Sequence, residues 1–471
     1  MRKFTTALVS FVFAGVLYGL QRFAKLLGVP GEIVDAKNPP APGSTGERPS
    51  SAAGYLYQRT KRIFELFGDP AAVLFLAFDE NQSKFVGLIF DLFSGRLRGW
   101  SKLPGQLKHQ RALALAAIGP QRSLCIQQAK NTRYIFVLVR NNPEMLGIPK
   151  AGEFDLATFI QKAYGIGEFE NIWSVEGLGH VYSQRTWQLK WNASEDAHGI
   201  LTDGQALCLP DKSLTMMHAG LGLCLAESIM KQLTPDTGFK EVERVVAAFI
   251  KLCNNNSRPG YVGCALESLG LVTRCFNYQV VDPVQQVLAE LDPVAWEYFW
   301  RGAGRAIYFA PAHLAQPLYS PWIAAEQEAP NDRAHEILKA AIAWPANIVN
   351  MQYPGIFEEF VRRYGVLPEN RRAIAQGVAA STTMAMDITP DHPVVKAYLE
   401  YVPASPDPKI HQLWETLVRC PVHKSVHRYQ PVLKRHGMMD QVFRFQDLDA
   451  LVDRLEPSAT TSGKTPAQAE R

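Results

Sequence analysis

The chain has 471 residues, of which 47% are hydrophobic and 20% are charged, and this composition is typical of a folded protein, not of a disordered or fibrous one. Lys and Arg outnumber Asp and Glu by 49 to 45, and the net charge of +4 is too small over this length to indicate a nucleic-acid partner. The seven cysteines are too few and too scattered for a disulfide framework, and their odd number leaves at least one without an intramolecular partner.

Residues 1–25 predict an N-terminal transmembrane anchor. An uncharged run from Phe4 to Leu20 lies between basic residues on both sides. A helix of that length spans about 25 Å, slightly less than the hydrocarbon core of a bilayer, and a snorkelling Arg22 can supply the difference. A signal peptide cleaved near residues 12–14 and a buried or interfacial helix are the alternatives. We expect an anchor in the cell membrane, with the body of the protein periplasmic or extracytoplasmic.

Two segments have the composition of unpacked chain. Residues 26–54 include the Pro-, Gly- and Ser-rich stretch Asn38–Ser51, which predicts a flexible linker that holds the body away from the membrane. Residues 457–471, rich in Ser, Thr, Gly, Pro and Gln, predict a disordered tail.

Residues 55–150 predict a small α+β domain. Short runs of β-branched and aromatic residues bounded by turn residues are typical of strands, and they occur at Ala71–Phe78, Phe85–Phe93 and Tyr134–Val139. Helices are expected around them at Tyr55–Phe67 and Leu107–Ile118. The strands are apolar on both faces, so the helices should cover them.

Residues 151–456 predict a domain of helical repeats. Gly220–Ser228 and Gly260–Ser268 share a stripe of small residues and a Cys-x-x-Glu-Ser spacing, and a period near forty residues is typical of stacked helix pairs. Looser copies follow at Phe299–Phe309, Ala340–Trp344 and Gln376–Met386. Glycine inside a helix costs about 1 kcal/mol relative to alanine, so its recurrence predicts close approach of helix backbones. The expected fold class is therefore mainly α: an anchor, a small α+β domain, and an α-solenoid-like or irregular all-α domain.

The repeats also provide candidate site residues. Cys224 and Cys264 occupy equivalent positions, and Glu227 and Glu267 follow each of them by three residues, on the same side of the helix. One interpretation is a groove between repeats that binds a partner or an apolar small molecule. The other is that the thiols are small buried hydrophobic groups and the carboxylates face solvent or cap a neighbouring helix.

The third copy adds Arg301 and Arg305 to the candidate groove. His218, upstream of the first copy, is predicted to be a packed or capping histidine. No nucleophile elbow, zinc-protease motif or dinucleotide fingerprint occurs in the chain, so the sequence favours a non-enzymatic role and predicts neither a cofactor nor a catalytic residue.

A weak metal candidate lies near the C-terminus. Cys420, His423 and His427 have the spacing Cys-x2-His-x3-His, but no second cysteine pair completes a closed zinc site, and the sequence therefore predicts no metal. The same stretch, residues 419–436, is rich in basic residues. These can contact lipid head groups or an acidic partner, or form a solvated basic face.

Two segments carry a resemblance to a bacterial family. Arg301–Phe309 resembles a recurring helix motif of that family, Gly-x-Gly-(small/Arg)-Ala-Leu-(Trp/Tyr)-Phe. A second recurring segment of the family is resembled by Phe357–Arg371 followed by Gln376–Ala380. Residues 210–390 thus resemble a bacterial family found beside enediyne polyketide biosynthesis genes. The resemblance implies an all-helical body in secondary metabolism or membrane-associated redox machinery, and it transfers no catalytic residue.

Taken together, these features predict a membrane-tethered helical-repeat scaffold that binds a protein partner in a bacterial envelope or biosynthetic assembly. The alternative is a carrier or tailoring enzyme for an apolar small molecule held between repeat helices.

Overall fold

The computed structural model of the chain describes residues 120–166, 169, 171–309, 320–390 and 392–456. Within these ranges every regular element is a helix, and the mainly α class is confirmed there. The predicted strand at Tyr134–Val139 is wrong, because this stretch lies inside a helix. The predicted anchor, linker, C-terminal tail and remaining elements of the α+β domain lie outside the described residues.

The α-helices of the described residues are numbered in chain order. They are α1 Pro120–Asn141, α2 Leu156–Tyr164, α3 Asn171–Trp191, α4 Leu214–Ile229, α5 Phe239–Asn256, α6 Val262–Phe276, α7 Val281–Leu291, α8 Pro293–Phe309, α9 Ser320–Glu328, α10 Asp332–Ile348, α11 Pro354–Phe360, α12 Pro368–Ile388, α13 Pro393–Glu400, α14 Pro408–Trp414, α15 Cys420–Lys424, α16 Gln430–Arg435 and α17 Leu448–Leu455. Single π-helical turns follow α11, α14 and α15, at Val361–Gly365, Glu415–Arg419 and Ser425–Tyr429.

A row of helices forms the centre of the body. Helices α1, α3, α4, α6, α8, α10 and α12 pack side by side in that order. The intervening helices lie beside the row: α5 packs against α4 and α7, α7 against α8, and α9 against α8 and α10. The predicted repeat copies all fall on row helices, namely α4, α6, α8, α10 and α12.

Neighbouring row helices from α4 to α12 run in the same direction. Between α6 and α8, Gly263 lies against Tyr298 and Gly270 lies against Ala303, so the contacts advance together along both helices. The same holds between α8 and α10, where Arg333 pairs with Glu297 and Gly304 lies against Ala341 farther along.

Glycines occur where these backbones approach most closely. A Cβ atom on Gly377 of α12 would lie 2.6 Å from the carbonyl oxygen of Ala340 in α10. A Cβ atom on Gly179 of α3 would lie 2.7 Å from the carbonyl oxygen of Met217 in α4. Equivalent overlaps with a neighbouring helix would occur at Gly177, Gly220, Gly222, Gly270, Gly302 and Gly304. The close packing predicted from the small-residue stripe is confirmed.

The C-terminal segment covers the N-terminal ends of the row helices. The carboxylate of Asp440 accepts a hydrogen bond from the Gly263 amide at the start of α6, with an N–O distance of 3.0 Å. Near the start of α8, Arg444 pairs with Glu297 at 2.9 Å. Arg333 in the first turn of α10 donates to the Phe445 carbonyl at 2.6 Å. Residues 437–446 thus tie α6, α8 and α10 together.

In the described part of the chain, one helical stretch, Asp211–Gln232, is long and apolar enough to cross a membrane by length and composition alone. Its most apolar window is 89% buried inside the body. Its apolar character is accounted for by α4 packing between α3 and α6.

Candidate functional site

Four charged side chains meet at the centre of the row. Glu176 lies on α3, Glu267 on α6, and Arg301 and Arg305 on α8, and each is at most 5% exposed. Arg305 donates from Nη1 to Glu267 Oε1 at 2.7 Å and from Nη2 to Glu176 Oε1. Arg301 Nε lies 3.6 Å from Glu267 Oε2. We call this group the central ionic cluster.

The charges of the central ionic cluster balance one another. Burial acts to lower the pKa of Arg305, but its two carboxylate partners outweigh burial and the pKa is raised above its ordinary value. Burial lowers the pKa of Arg301 to about 10, against the attraction of Glu267, so Arg301 is cationic at neutral pH. Burial also raises the pKa of Glu176, and the positive charge of Arg305 opposes that shift. Such a group is held together by direct pairing, because an unpaired buried charge is costly.

Aromatic rings surround the two guanidinium groups. The Arg301 guanidinium carbon lies 4.9 Å from the ring centroid of Trp344 and 5.3 Å from that of Phe443. The Arg305 guanidinium carbon lies 5.8 Å from the Trp173 and Trp344 rings. The cluster therefore joins α3, α6, α8, α10 and the C-terminal segment through both charge and cation–π contacts.

A second, smaller group lies around Glu227. Its Oε2 accepts a hydrogen bond from Arg140 of α1 and lies 3.3 Å from Nε2 of His180. The Glu227 side chain is 15% exposed and that of Arg140 is 27% exposed, whereas His180 is buried. Burial lowers the pKa of His180, and the contact with Glu227 opposes that shift.

The structure divides the predicted groove residues between these two groups. Glu267, Arg301 and Arg305 belong to the central ionic cluster, whereas Glu227 binds Arg140 and His180 instead. The two glutamates of the repeated Cys-x-x-Glu-Ser pattern therefore bind different cations and do not form one carboxylate pair.

Cys224 and Cys264 are both buried. Burial raises the pKa of each thiol above its ordinary value, so both are protonated at neutral pH. The thiolate, not the thiol, is the nucleophilic form of cysteine. The two cysteines thus pack as small apolar groups, while Glu267 is a buried ion-pair partner and does not face solvent.

The structure does not support the weak metal candidate. Cys420 is exposed, and the rings of His423 and His427 stack at a centroid distance of 5.7 Å. Among the described residues, no group of three or more His, Cys, Asp or Glu side chains is arranged to hold a metal ion.

The basic side chains around these histidines are largely paired with carboxylates. Lys424 and Arg428 both bind Asp449 of α17, and Arg428 also binds Asp453. Farther along, Lys434 binds Asp387 at 2.6 Å and Arg435 binds Glu456. The sequence pattern suggested a free basic face, but α17 neutralises much of it.

His218 is a fully satisfied core histidine, as predicted. It is fully buried, its Nδ1 lies 2.7 Å from the Leu214 carbonyl, and its Nε2 accepts from the Arg258 amide at 3.0 Å. These two bonds define the neutral tautomer with the proton on Nδ1.

Sequence reasoning missed Glu176 and Trp344 as members of the central ionic cluster. A usable signal for Glu176 existed, because a lone carboxylate in the otherwise apolar start of α3 needs a buried cation. No family model, no curated protein and no solved structure matches this chain.

Proposed function

We propose that this chain is a helical-repeat scaffold, tethered to a membrane, that binds a partner protein. The observation that carries the proposal is the close packing of the row helices against one another. Backbone meets backbone at the glycine positions, such as Gly222 against Ala265, and large aromatic side chains including Trp300 and Trp344 are buried in the core. The row also curves back on itself, because Thr215 of α4 donates a hydrogen bond to Asp387 of α12, so the outer faces of the helices are the surface offered to a protein.

The same packing argues against the small-molecule alternative. An apolar ligand between α4 and α6 would occupy the region of Cys224 and Cys264, where Gly222 already touches the backbone of Ala265. Both thiols are buried and protonated, so neither supplies a nucleophile. The external surface of the helices is therefore the better-supported binding region.

The tether rests on the sequence of residues 1–25. Anchoring the body raises its effective concentration beside a membrane-bound partner, and residues 26–54 supply the reach. The resemblance of residues 210–390 to a bacterial family supports an envelope or biosynthetic assembly as the setting.

Membrane fractionation of the full chain tests the tether. We expect the chain to stay with membranes after an alkaline wash. Val12→Arg, which places a charge in the apolar run, should release it, whereas Gln21→Arg, which adds the same charge at the edge of the run, should not. Release of the unaltered chain would refute the tether.

Chemical cross-linking in cells, followed by detergent extraction at low and moderate salt, tests the scaffold role separately. We expect a discrete adduct of the chain with a second protein, retained at both salt concentrations. Recovery of the chain only at its own mass would contradict this role, whatever the fractionation shows.

A further inference from the structure

A cleft opens at the surface between the loop before α2 and the second half of α3. It encloses about 320 Å³, part of which is open to solvent, and the short 3-10 helix Gly204–Cys208 bounds its third side. Phe154, Tyr182 and Thr186 form its buried floor, and the Phe154 and Tyr182 rings meet edge to face at a centroid distance of 5.8 Å. We call this space the α2–α3 cleft. Between the row helices the backbones touch, but this cleft has room for a side chain of another molecule.

Hydrogen bonds hold the walls of the α2–α3 cleft in place. Arg185 of α3 donates from Nη1 to the Pro149 carbonyl at 2.6 Å and from Nη2 to the Lys150 carbonyl at 3.4 Å, and these bonds fix the loop. On the other wall, Gln205 accepts a hydrogen bond from the Leu156 amide of α2 at 2.9 Å. A surface that already has its bound shape loses little conformational entropy when a partner enters. The cleft is therefore preformed.

The rim of the α2–α3 cleft carries exposed apolar groups and two opposite charges. Leu189 at the rim is 53% exposed, and Leu207 on the adjoining 3-10 helix is 59% exposed. Glu153 and Lys190 also line the cleft and are exposed. Neither of these two charges has an ion-pair partner in the described part of the chain.

This open rim favours a segment of a protein over a free small molecule. Small-molecule sites enclose most of the surface of their ligand, whereas this cleft is open beside Leu189 and Lys190. A segment of chain that lies across the rim covers Leu189 and Leu207 while one of its side chains enters the cleft. Exposed apolar groups beside an open cleft are a feature of protein interaction sites.

We propose that the α2–α3 cleft binds a short extended segment of the partner protein, with one apolar side chain flanked by a basic and an acidic residue. The apolar side chain lies on Phe154 and Tyr182 and contacts Leu189. The basic residue pairs with Glu153 and the acidic residue with Lys190. Burial of the apolar side chain supplies most of the affinity, and the exposed ion pairs mainly orient the segment. This assignment rests on the proposed scaffold function and names the place on the body where the partner binds.

Selection of displayed random peptides on the purified full chain tests the assignment. We expect the selected peptides to share one apolar residue with a basic residue on one side and an acidic residue on the other. Leu189→Asp should weaken their binding at least tenfold. The matched control is Leu291→Asp at the end of α7, because that leucine is 44% exposed and does not line the cleft, and it should leave binding unchanged. Selected peptides that bind the unaltered chain and Leu189→Asp equally would overturn the assignment.

A charge exchange tests the orientation of the segment. Lys190→Glu should weaken the binding of a selected peptide about fivefold, and replacing the acidic residue of that peptide by lysine should restore it. Weaker binding of the lysine peptide to Lys190→Glu than to the unaltered chain would contradict the pairing.

Cross-linking in cells separates this site from the scaffold function itself. We expect the adduct with a second protein to form in the unaltered chain and in Leu291→Asp but not in Leu189→Asp. An adduct that forms equally in Leu189→Asp would leave the scaffold function standing and overturn the site. Absence of the adduct in the unaltered chain would refute both.

Discussion

Gly270 of α6 lies so close to Phe299 of α8 that a Cβ atom on the glycine would overlap the Phe299 carbonyl oxygen. The contact is between two backbones, so no flexible side chain can move aside. The close spacing of α6 and α8 therefore requires that residue 270 carries no side chain.

We therefore expect Gly270→Ala to lower the free energy of unfolding by about 3 kcal/mol, despite the higher helix propensity of alanine. Urea denaturation followed by circular dichroism measures the change. The matched control is Gly165→Ala, because that glycine has an ordinary φ of −80° and a Cβ there would have no neighbour nearer than 3.4 Å. The control should change the free energy of unfolding by no more than about 0.5 kcal/mol. Equal effects would mean that α6 and α8 can separate without cost.

Arg305→Met should be among the most destabilising changes in the described residues. It leaves Glu267 with Arg301 as its partner but leaves Glu176 as an uncompensated buried charge, at a cost of about 4 kcal/mol. Adding Glu176→Gln to Arg305→Met should restore part of that loss by removing the unpaired charge. Denaturant titration of the single and double variants measures both effects.

Arg244→Met is the matched control for Arg305→Met, and the comparison tests the effect of burial. Arg244 also binds two glutamates, Glu195 and Glu241, but its side chain is 44% exposed. Water screens exposed ion pairs, so little measurable change is expected. A loss at Arg244 as large as the loss at Arg305 would contradict the role assigned to burial.

His218 should make stability depend on pH in the acidic range. Burial lowers its pKa from 6.5 to about 4 in the folded chain. Below pH 6.5 the unfolded chain binds a proton that the folded chain does not, so stability is lost as the pH falls from 6.5 towards 4, by up to about 3 kcal/mol. His218→Gln cannot take up that proton, and it should show a smaller loss over the same interval.

His335→Gln tests a second histidine of the same kind. The pKa of His335 is also lowered to about 4 by burial, but His335 is less deeply buried than His218. By the same linkage its removal should also flatten the pH profile between pH 6.5 and 4. If His218→Gln keeps the full pH dependence of the unaltered chain, His218 is not the responsible group.

Asp449→Asn should uncover a basic surface. Asp449 pairs with both Lys424 and Arg428, so its loss leaves two partly exposed cations without that partner. The variant should elute from immobilised heparin at a higher salt concentration than the unaltered chain. Asp236→Asn changes the net charge equally at an exposed turn far along the sequence, and it should shift elution less. Equal shifts would show that net charge alone governs retention.

The row helices could be predicted from the sequence because the pattern of small residues that marks them lies within each helix. The small residues of Gly220–Ser228 and Gly260–Ser268 predicted helix, repeat and close approach together. The strand prediction for Tyr134–Val139 was wrong because a short apolar run is compatible with both a strand and a buried helix. In the structure, Val139 instead packs against Gly177 of α3.

The central ionic cluster could be predicted only in part. Glu267 was identified by the repeated Cys-x-x-Glu-Ser spacing, and Arg301 and Arg305 by the third repeat copy, as residues of a candidate groove. That Arg305 also reaches Glu176 depends on how α3 meets α8, which no local pattern encodes. Glu227 has the same sequence context as Glu267, yet it lies beside Arg140 and His180 because α1 and α3 flank α4 on that side.

The common direction of α4, α6, α8, α10 and α12 has an electrical consequence. Each helix carries roughly half a positive charge at its N-terminal end and half a negative charge at its C-terminal end, and aligned helices do not cancel one another. The partial charges act within about one turn of each helix end, and the N-terminal ends of α6, α8 and α10 lie close together beneath the C-terminal segment. Residues 437–446, with the Asp440 carboxylate on the Gly263 amide, cover these ends. The Asp440 carboxylate therefore lies where the partial positive charges of neighbouring helix ends favour a negative group.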